Sequence, residues 1–162
     1  MCGRTGLNDR AAQRLQAFRD VLAENGIRFR ADRVAECAFE ADEGRTRAER
    51  WLTRPDRPTA IFCANDILAL GALFACQSLG LAVPGDVSIV GFDNLPMTAV
   101  VPPGLTTIAV PAEEIGRRSV RLLFDGGALS SPAPRIAVET QLIQRSSVGP
   151  APSTAKLRRS SR

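Results

Sequence analysis

The sequence predicts an α/β fold in which a parallel sheet is covered by helices on both faces, a three-layer αβα arrangement. Two short apolar runs, 60–64 and 87–92, have the length and composition of buried strands. Between them, 67–79 is apolar nearly all round, so a helix there must be covered on more than one side. Strand, helix and strand in this order form a parallel, right-handed crossover unit.

Residues 1–39 are predicted to hold one helix and one strand. Asn8 or Asp9 can cap a helix whose apolar residues recur at helical spacing until the Asn25-Gly26 stop. Segment 27–39 alternates loosely and is expected to contain a strand that ends near residues 37–39.

A second helix is predicted from about residue 40 to Leu52, because acidic residues favour the first turn of a helix. The Pro-containing segment 53–58 then breaks the chain before the strand at 60–64. Gly80 ends the buried helix, and a turn at 83–86 leads into the second strand.

The last third is predicted to continue with an extended segment at 105–110, a helix at 112–124 and a strand at 135–144. From Ser146 onward the chain is rich in Ser, Pro and Ala and carries basic residues. We therefore divide it into one folded domain, 1–145, and a disordered basic tail, 146–162.

Composition indicates an ordinary globular protein, with 162 residues, 44% hydrophobic and 23% charged. No apolar run is long enough to span a bilayer, and the start MCGRTGLNDR lacks an apolar signal-peptide core. We expect a cytoplasmic protein with no membrane partner. The four cysteines form no C-x-x-C pair, which favours reduced, buried thiols.

The formal net charge of +4 belongs to the predicted tail. Residues 146–162 hold four of the 21 basic residues and no acid, so the other 17 balance the 17 Asp and Glu residues of the folded part. The domain is therefore not predicted to bind nucleic acid through its net charge.

Several enzyme classes are excluded by residues that the sequence lacks. Without histidine, no Ser-His-Asp or Cys-His relay and no imidazole zinc site can form. Neither nucleotide-binding glycine motif is present, and the adjacent Glu113 and Glu114 point apart on their helix. We predict a binding protein rather than an enzyme, with no cofactor and no metal.

Polar residues follow both central strands, where ligands bind in sheets of this kind. Asn65 follows the first strand and Asp93 the second. An amide offers donors and an acceptor, and a carboxylate accepts from two hydroxyls, so the pair suits a neutral polyhydroxyl or purine-like molecule. Helix capping is the alternative role for the Asn65-Asp66 pair, and we assign Asp66 to structure.

The stretch RPTAIFCANDILALGALFACQSLGLAVPGDVSIVGFDN, continued by PPGLTTIAVPAEEIGRRSVRLL, resembles the sensor domain of the LacI/GalR family of bacterial transcription repressors. The resemblance covers roughly Gly3 to Arg145, and its blocks occur in order. It implies a periplasmic-binding-protein-like type I lobe: the C-terminal lobe of the sensor plus one crossover helix, with the second lobe incomplete.

The resemblance also implies two further ligand-binding residues besides Asn65 and Asp93. Arg14 stands at the family's RLxxF position, where an arginine hydrogen-bonds the effector, although an exposed arginine would otherwise be taken as solvated. Phe39, in AFEADEGR, matches an aromatic residue that stacks on the ligand, although a plain core role is the alternative. Arg10 stays unassigned, because the segment around it departs from the family's spacing.

In function, the resemblance implies the sensing domain of a transcription regulator that binds a sugar or similar small polar effector. Operator DNA would be bound only through an N-terminal headpiece that we do not find here, and the intact protein would be a homodimer. The helix at 112–124 would cross to the first lobe, leaving its apolar stripe exposed. The alternatives are a sugar-binding protein of a transport system and a non-functional gene fragment.

Overall fold

The computed structural model describes residues 2–3, 9–125 and 136–152. Short 3-10 turns occur at Ala31–Arg33 and Pro96–Ala99. The helices and strands in chain order are β1 Cys2–Gly3, α1 Asp9–Glu24, β2 Glu36–Cys37, α2 Ala41–Leu52, β3 Ala60–Phe62, α3 Asp66–Ser78, β4 Ser88–Val90, β5 Thr107–Ala109, α4 Ala112–Phe124 and β6 Gln141–Ile143.

The predicted strand–helix–strand unit is confirmed. β3 and β4 pair in parallel, with Ile61 opposite Ile89, and α3 connects them. β4 continues toward β5 through the parallel bridges Val90–Thr106 and Asp93–Ala109. β6 adds to β5 in the antiparallel direction, and β1 pairs with β2 in parallel.

Helices cover both faces of this sheet because neighbouring side chains of β3 point in opposite directions. Ile61 is buried in the core that α2 and α3 form over one face. The ring of Phe62 stacks on Phe18 of α1, with 6.1 Å between ring centroids. The α/β fold with a helix–sheet–helix order is therefore confirmed.

α2 and α3 approach closely because each has a glycine at the point of contact. A Cβ at Gly71 of α3 would collide with the carbonyl oxygen of Ala41 and stand 2.7 Å from the backbone nitrogen of Arg45. A Cβ at Gly44 of α2 would stand 2.9 Å from the Cα of Leu68. Both obstacles are backbone atoms, so side-chain rotation cannot relieve either collision.

Two outer segments are less regular than the sequence predicts. The strand expected within 27–39 is only the two-residue β2, and the strand expected at 135–144 is limited to Gln141–Ile143. The short β2 ladder reflects the loose alternation of segment 27–39, which defines no continuous apolar face. Asn8, the alternative cap of α1, and Arg135 lie outside the described residues.

The predicted boundary of the disordered tail at residue 146 is wrong. Ser147 is fully buried; its Oγ donates to the carbonyl oxygen of Ile89 at 2.6 Å and accepts from the Thr106 backbone nitrogen at 2.8 Å. Gly149 donates its backbone N–H to Ser88 Oγ at 3.1 Å. These contacts fix residues beside β4 that composition alone assigned to the tail. Residues 153–162 lie outside the described part of the chain.

α4 is exposed along its apolar side, as the sequence predicts. Leu123 is 70% and Phe124 86% exposed, and no residue of this helix is buried. Its Ile115 and Leu122 line a small cavity together with Ile136. Within the described segments, no helix is both long enough and apolar enough to cross a membrane.

Candidate functional site

The start of α3 lies where β3 ends, and Asn65 and Asp66 have different roles there. Asn65 is the N-cap, because its Oδ1 accepts the backbone N–H of Leu68 at 2.9 Å. Its Nδ2 forms no hydrogen bond with any residue that the structure describes. Asn65 is partly exposed, so that amide nitrogen is its remaining group for a ligand.

Asp66 is fully buried and joins three segments of the chain, which agrees with the structural role we predicted for it. Its Oδ2 accepts the backbone N–H of Leu95 at 2.8 Å, and its Oδ1 accepts the hydroxyl of Thr107 at 2.6 Å. A Cβ at Gly91 would overlap Asp66 Oδ1, so the carboxylate occupies the space beside that glycine. Asp66 therefore fixes the ends of β4 and β5 relative to α3.

The chain turns sharply after β4. Asp93 and Asn94 both have positive φ, 113° and 56°, which is uncommon for residues other than glycine and is tolerated best by Asp and Asn. The Asp93 backbone nitrogen donates to the carbonyl oxygen of Ile108 at 2.9 Å. Arg145 donates from Nη2 to Asn94 Oδ1 at 2.8 Å. The turn leaves the Asp93 side chain exposed beyond the strand ends.

Arg14 reaches this turn from α1 across the sheet edge. Its Nη1 donates to the carbonyl oxygen of Ala64 at 2.7 Å, directly before Asn65. Its guanidinium lies over the ring of Phe92, 3.7 Å from the centroid. A planar cation fixed on an aromatic face loses little side-chain entropy when a ligand binds.

The charges of Arg14 and Asp93 act on each other. Burial lowers the pKa of the Arg14 guanidinium, and the nearby Asp93 carboxylate raises it in part. Burial raises the pKa of Asp93, the Asp66 carboxylate raises it further, and Arg14 opposes both. A partly desolvated guanidinium and a carboxylate therefore lie near each other at one end of the sheet.

The structure brings three of the four predicted ligand-binding residues to this end of the sheet. Arg14 bonds to the residue before Asn65 and is coupled to Asp93. Phe39 is 42% exposed in the loop after β2, and no ring stacking or hydrogen bond among the described residues joins it to the other three. We name Arg14, Asn65 and Asp93 the strand-end cluster.

Sequence reasoning missed two residues that hold this cluster. Phe92 supports the guanidinium of Arg14, and its position directly before Asp93 is a signal that would have found it. Arg145 holds Asn94 and also donates to the carbonyl oxygen of Leu105 at 2.7 Å. It follows Asn94 by 51 residues, and no local pattern links the two.

Asp93→Asn should make the domain more stable at about pH 7 and equal to the parent at about pH 3. The pKa of Asp93 is higher in the folded state than in the unfolded state. Above the folded-state pKa, the charged carboxylate therefore lowers the free energy of unfolding. Below the unfolded-state pKa, the carboxyl group is protonated in both states and has no such effect. We expect about 0.5 kcal/mol or less, because the side chain is exposed and solvent screens it. Urea unfolding at both pH values measures it.

Asp20→Asn, on the exposed side of α1, controls for the loss of one negative charge. An Asp93→Asn variant that is less stable than the parent at neutral pH would contradict the raised pKa.

A family model of the periplasmic binding protein-like domain matches residues 1–148. Among curated proteins, the chain is 38% identical over 139 residues to the HTH-type transcriptional repressor PurR of Mannheimia succiniciproducens, covering 85% of this chain and 42% of that protein. The repressor PurR of Yersinia enterocolitica is 38% identical over 140 residues, covering 86% of this chain and 41% of that protein. The chain thus spans less than half the length of these relatives.

Solved structures show the same fold. A transcriptional regulator CelR–cellobiose complex superposes with a TM-score of 0.75 at 31% identity, over 85% of this chain and 42% of that one. A dimeric lac repressor with a C-terminal deletion superposes with a TM-score of 0.79 at 29% identity, over 93% of this chain and 54% of that one. A LacI transcriptional regulator from Bacillus cereus subsp. cytotoxis superposes with a TM-score of 0.81 at 28% identity, over 86% of this chain and 50% of that one.

Proposed function

Because this chain belongs to the periplasmic-binding-protein-like family and resembles LacI-type repressors over most of its length, we propose that it is the effector-sensing part of such a regulator. Its role is to bind a small polar molecule, and no chemical reaction is involved. In the intact regulator, that binding controls how a DNA-binding headpiece contacts operator DNA in the cytoplasm. The solved dimeric relative supports a homodimer as the working form.

The observation that carries this proposal is the position of Arg14 at the strand ends, where its Nη1 bonds to the carbonyl oxygen directly before Asn65 and its guanidinium lies near the Asp93 carboxylate. The guanidinium offers donors in a fixed plane and the carboxylate offers acceptors, which together match the hydroxyl groups of a sugar. The free amide nitrogen of Asn65 adds a donor beside them. Phe39 joins the proposed set as the apolar surface for a sugar or base ring.

A sugar is the effector class that we propose. The cluster combines one cation with one carboxylate, so a neutral guest that covers both leaves neither charge without an opposite charge nearby. The structural relative named as a cellobiose complex supports this class. A purine-like effector is the alternative, and the ligand panel below includes one.

Cellobiose, ribose and hypoxanthine should be titrated against the chain by saturation-transfer NMR, which detects binding into the millimolar range. We expect one of the two sugars to bind, and Asp93→Asn and Arg14→Gln to weaken it about tenfold each, because each removes a charged hydrogen-bond partner. Asp20→Asn and Arg50→Gln, exposed substitutions of the same types, should leave it unchanged.

A sugar that binds equally well to all four variants would refute the strand-end cluster as the site. Binding of hypoxanthine alone would replace the sugar with the purine class. Absence of binding by all three ligands would contradict the proposal for this chain.

A solute-binding protein of a transport system is the second candidate, because the matching family model describes a periplasmic binding protein-like domain. The two candidates differ in what precedes this domain. Sequencing the coding DNA upstream of Met1 separates them: an in-frame helix-turn-helix supports the regulator, and an export signal supports the transporter.

A further inference from the structure

A cavity of about 530 Å³ lies between α1 and β3 and reaches Arg14 of the strand-end cluster at one end. Its walls are mainly apolar: Leu15 and Phe18 come from α1, Phe62 from β3 and Trp51 from the end of α2. This volume lies within the range of about 300–1,000 Å³ that small-molecule sites occupy. An apolar lining of this kind favours a guest with a hydrocarbon or aromatic body.

At one mouth of the cavity lies a network of ion pairs that contains more arginines than aspartates. Arg30 and Arg33 border the mouth, and both pair with Asp56 at 2.9 Å. Arg54 pairs with Asp32 at 3.2 Å and with Asp56 at 3.1 Å. Three guanidinium groups thus share two carboxylates.

Two arginines at this mouth have donors that lack a hydrogen-bond acceptor within the described part of the chain. Nε of Arg33 is buried and has no hydrogen-bond partner in the described structure, and the carboxylate oxygen Asp32 Oδ2 is 4.0 Å away from it. Arg28, also on the cavity wall, forms no ion pair or hydrogen bond with the residues described. A buried donor without a partner costs free energy until an acceptor reaches it.

The opposite end of the cavity is a poorer place for an anion. Arg14 borders that end, but the Asp93 carboxylate lies near its guanidinium and one of its nitrogens already bonds to the carbonyl oxygen of Ala64. The uncompensated positive charge therefore lies at the Arg28–Arg33 mouth.

We propose that this cavity binds a monocarboxylate with an apolar body, whose head group lies at the Arg28–Arg33 mouth and not at the strand-end cluster. The body lies against Phe18, Phe62 and Trp51, and the carboxylate accepts hydrogen bonds from Arg33 Nε and Arg28. A carboxylate there balances the excess charge and satisfies the buried donor, since hydrogen bonds between ions are the strong ones. The inference does not depend on the identity of the effector.

The only tryptophan of the chain, Trp51, lines the cavity, so its fluorescence reports occupancy directly. The full chain should be titrated with decanoate and with decanol, which differ only in the head group, below their micelle or solubility limits. We expect a saturable change in emission with both and an affinity for decanoate at least about tenfold higher, because only decanoate supplies an acceptor anion.

Two variants separate the head-group site from the apolar body. Arg28→Gln should lower decanoate affinity and leave decanol unchanged, whereas Arg50→Gln on the exposed side of α2 should change neither. Ala60→Phe places a ring in the cavity from β3 and should abolish binding of both probes. Cooperative urea unfolding of each variant confirms that it is folded.

Equal affinities for decanoate and decanol would overturn the carboxylate site, and so would an Arg28→Gln variant that binds decanoate as the parent does. Unchanged binding by folded Ala60→Phe would place the probes elsewhere, and no emission change with either probe would refute the cavity site.

Discussion

Replacing Gly71 with alanine should destabilise the domain by about 3 kcal/mol, although the same change in an exposed helix usually stabilises it by about 0.5–1 kcal/mol. The added Cβ would collide with the carbonyl oxygen of Ala41 and approach the backbone nitrogen of Arg45 to 2.7 Å. Backbone atoms cannot rotate away, so α2 and α3 must separate and loosen the main core.

Gly116→Ala in α4 is the matched control. No described atom lies within 4 Å of a Cβ placed at Gly116, and the helix is exposed there. We expect it to raise stability by about 0.5–1 kcal/mol in urea unfolding. A stabilising effect at both glycines would mean that helix propensity, not close packing, decides the result at Gly71.

The second large effect should follow from Asp66→Ala, which we expect to lower the free energy of unfolding by about 4 kcal/mol. The substitution leaves the Leu95 backbone N–H and the buried Thr107 hydroxyl without their acceptor. It also removes the link between α3 and the ends of β4 and β5. Urea denaturation measures the loss, and Asp20→Ala on the surface of α1 is the control.

Asp66→Asn should lower the free energy of unfolding less than Asp66→Ala does. The comparison tests whether the hydrogen bonds of Asp66 cause the loss of stability. The amide oxygen can still accept from the Leu95 N–H, and the Thr107 hydroxyl can turn from donor to acceptor for the amide nitrogen. If the asparagine and alanine variants lose the same stability, the hydrogen bonds are not the source of the effect.

Local chemistry was predictable from the sequence, and contacts between distant residues were not. The cap at Asn65 follows from the residue type directly before a helix, and α4 begins and ends at the predicted residues. The partners of Asp66, by contrast, lie 29 and 41 residues further along the chain. Only the folded sheet brings those groups together.

Composition misled at Ser147 for a related reason. A single buried hydroxyl bonded to Ile89 and Thr106 is invisible in a segment rich in Ser, Pro and Ala. The cavity was equally hidden, because its walls come from residues between Ala11 and Val90, and no local pattern joins them. Of the strand-end cluster, Asn65 and Asp93 follow from topology, whereas Arg14 needed the family resemblance.

The Asp66 carboxylate occupies the space that a side chain at position 91 would need. This limits the order in which substitutions at positions 66 and 91 can be accepted. An alanine at position 91 would have to displace the Asp66 carboxylate, which the Leu95 and Thr107 bonds hold in place. A shorter residue at position 66 makes room but gives up both bonds. Neither single step is neutral, so this pair is epistatic, and we expect variation at the two codons to arise together or not at all.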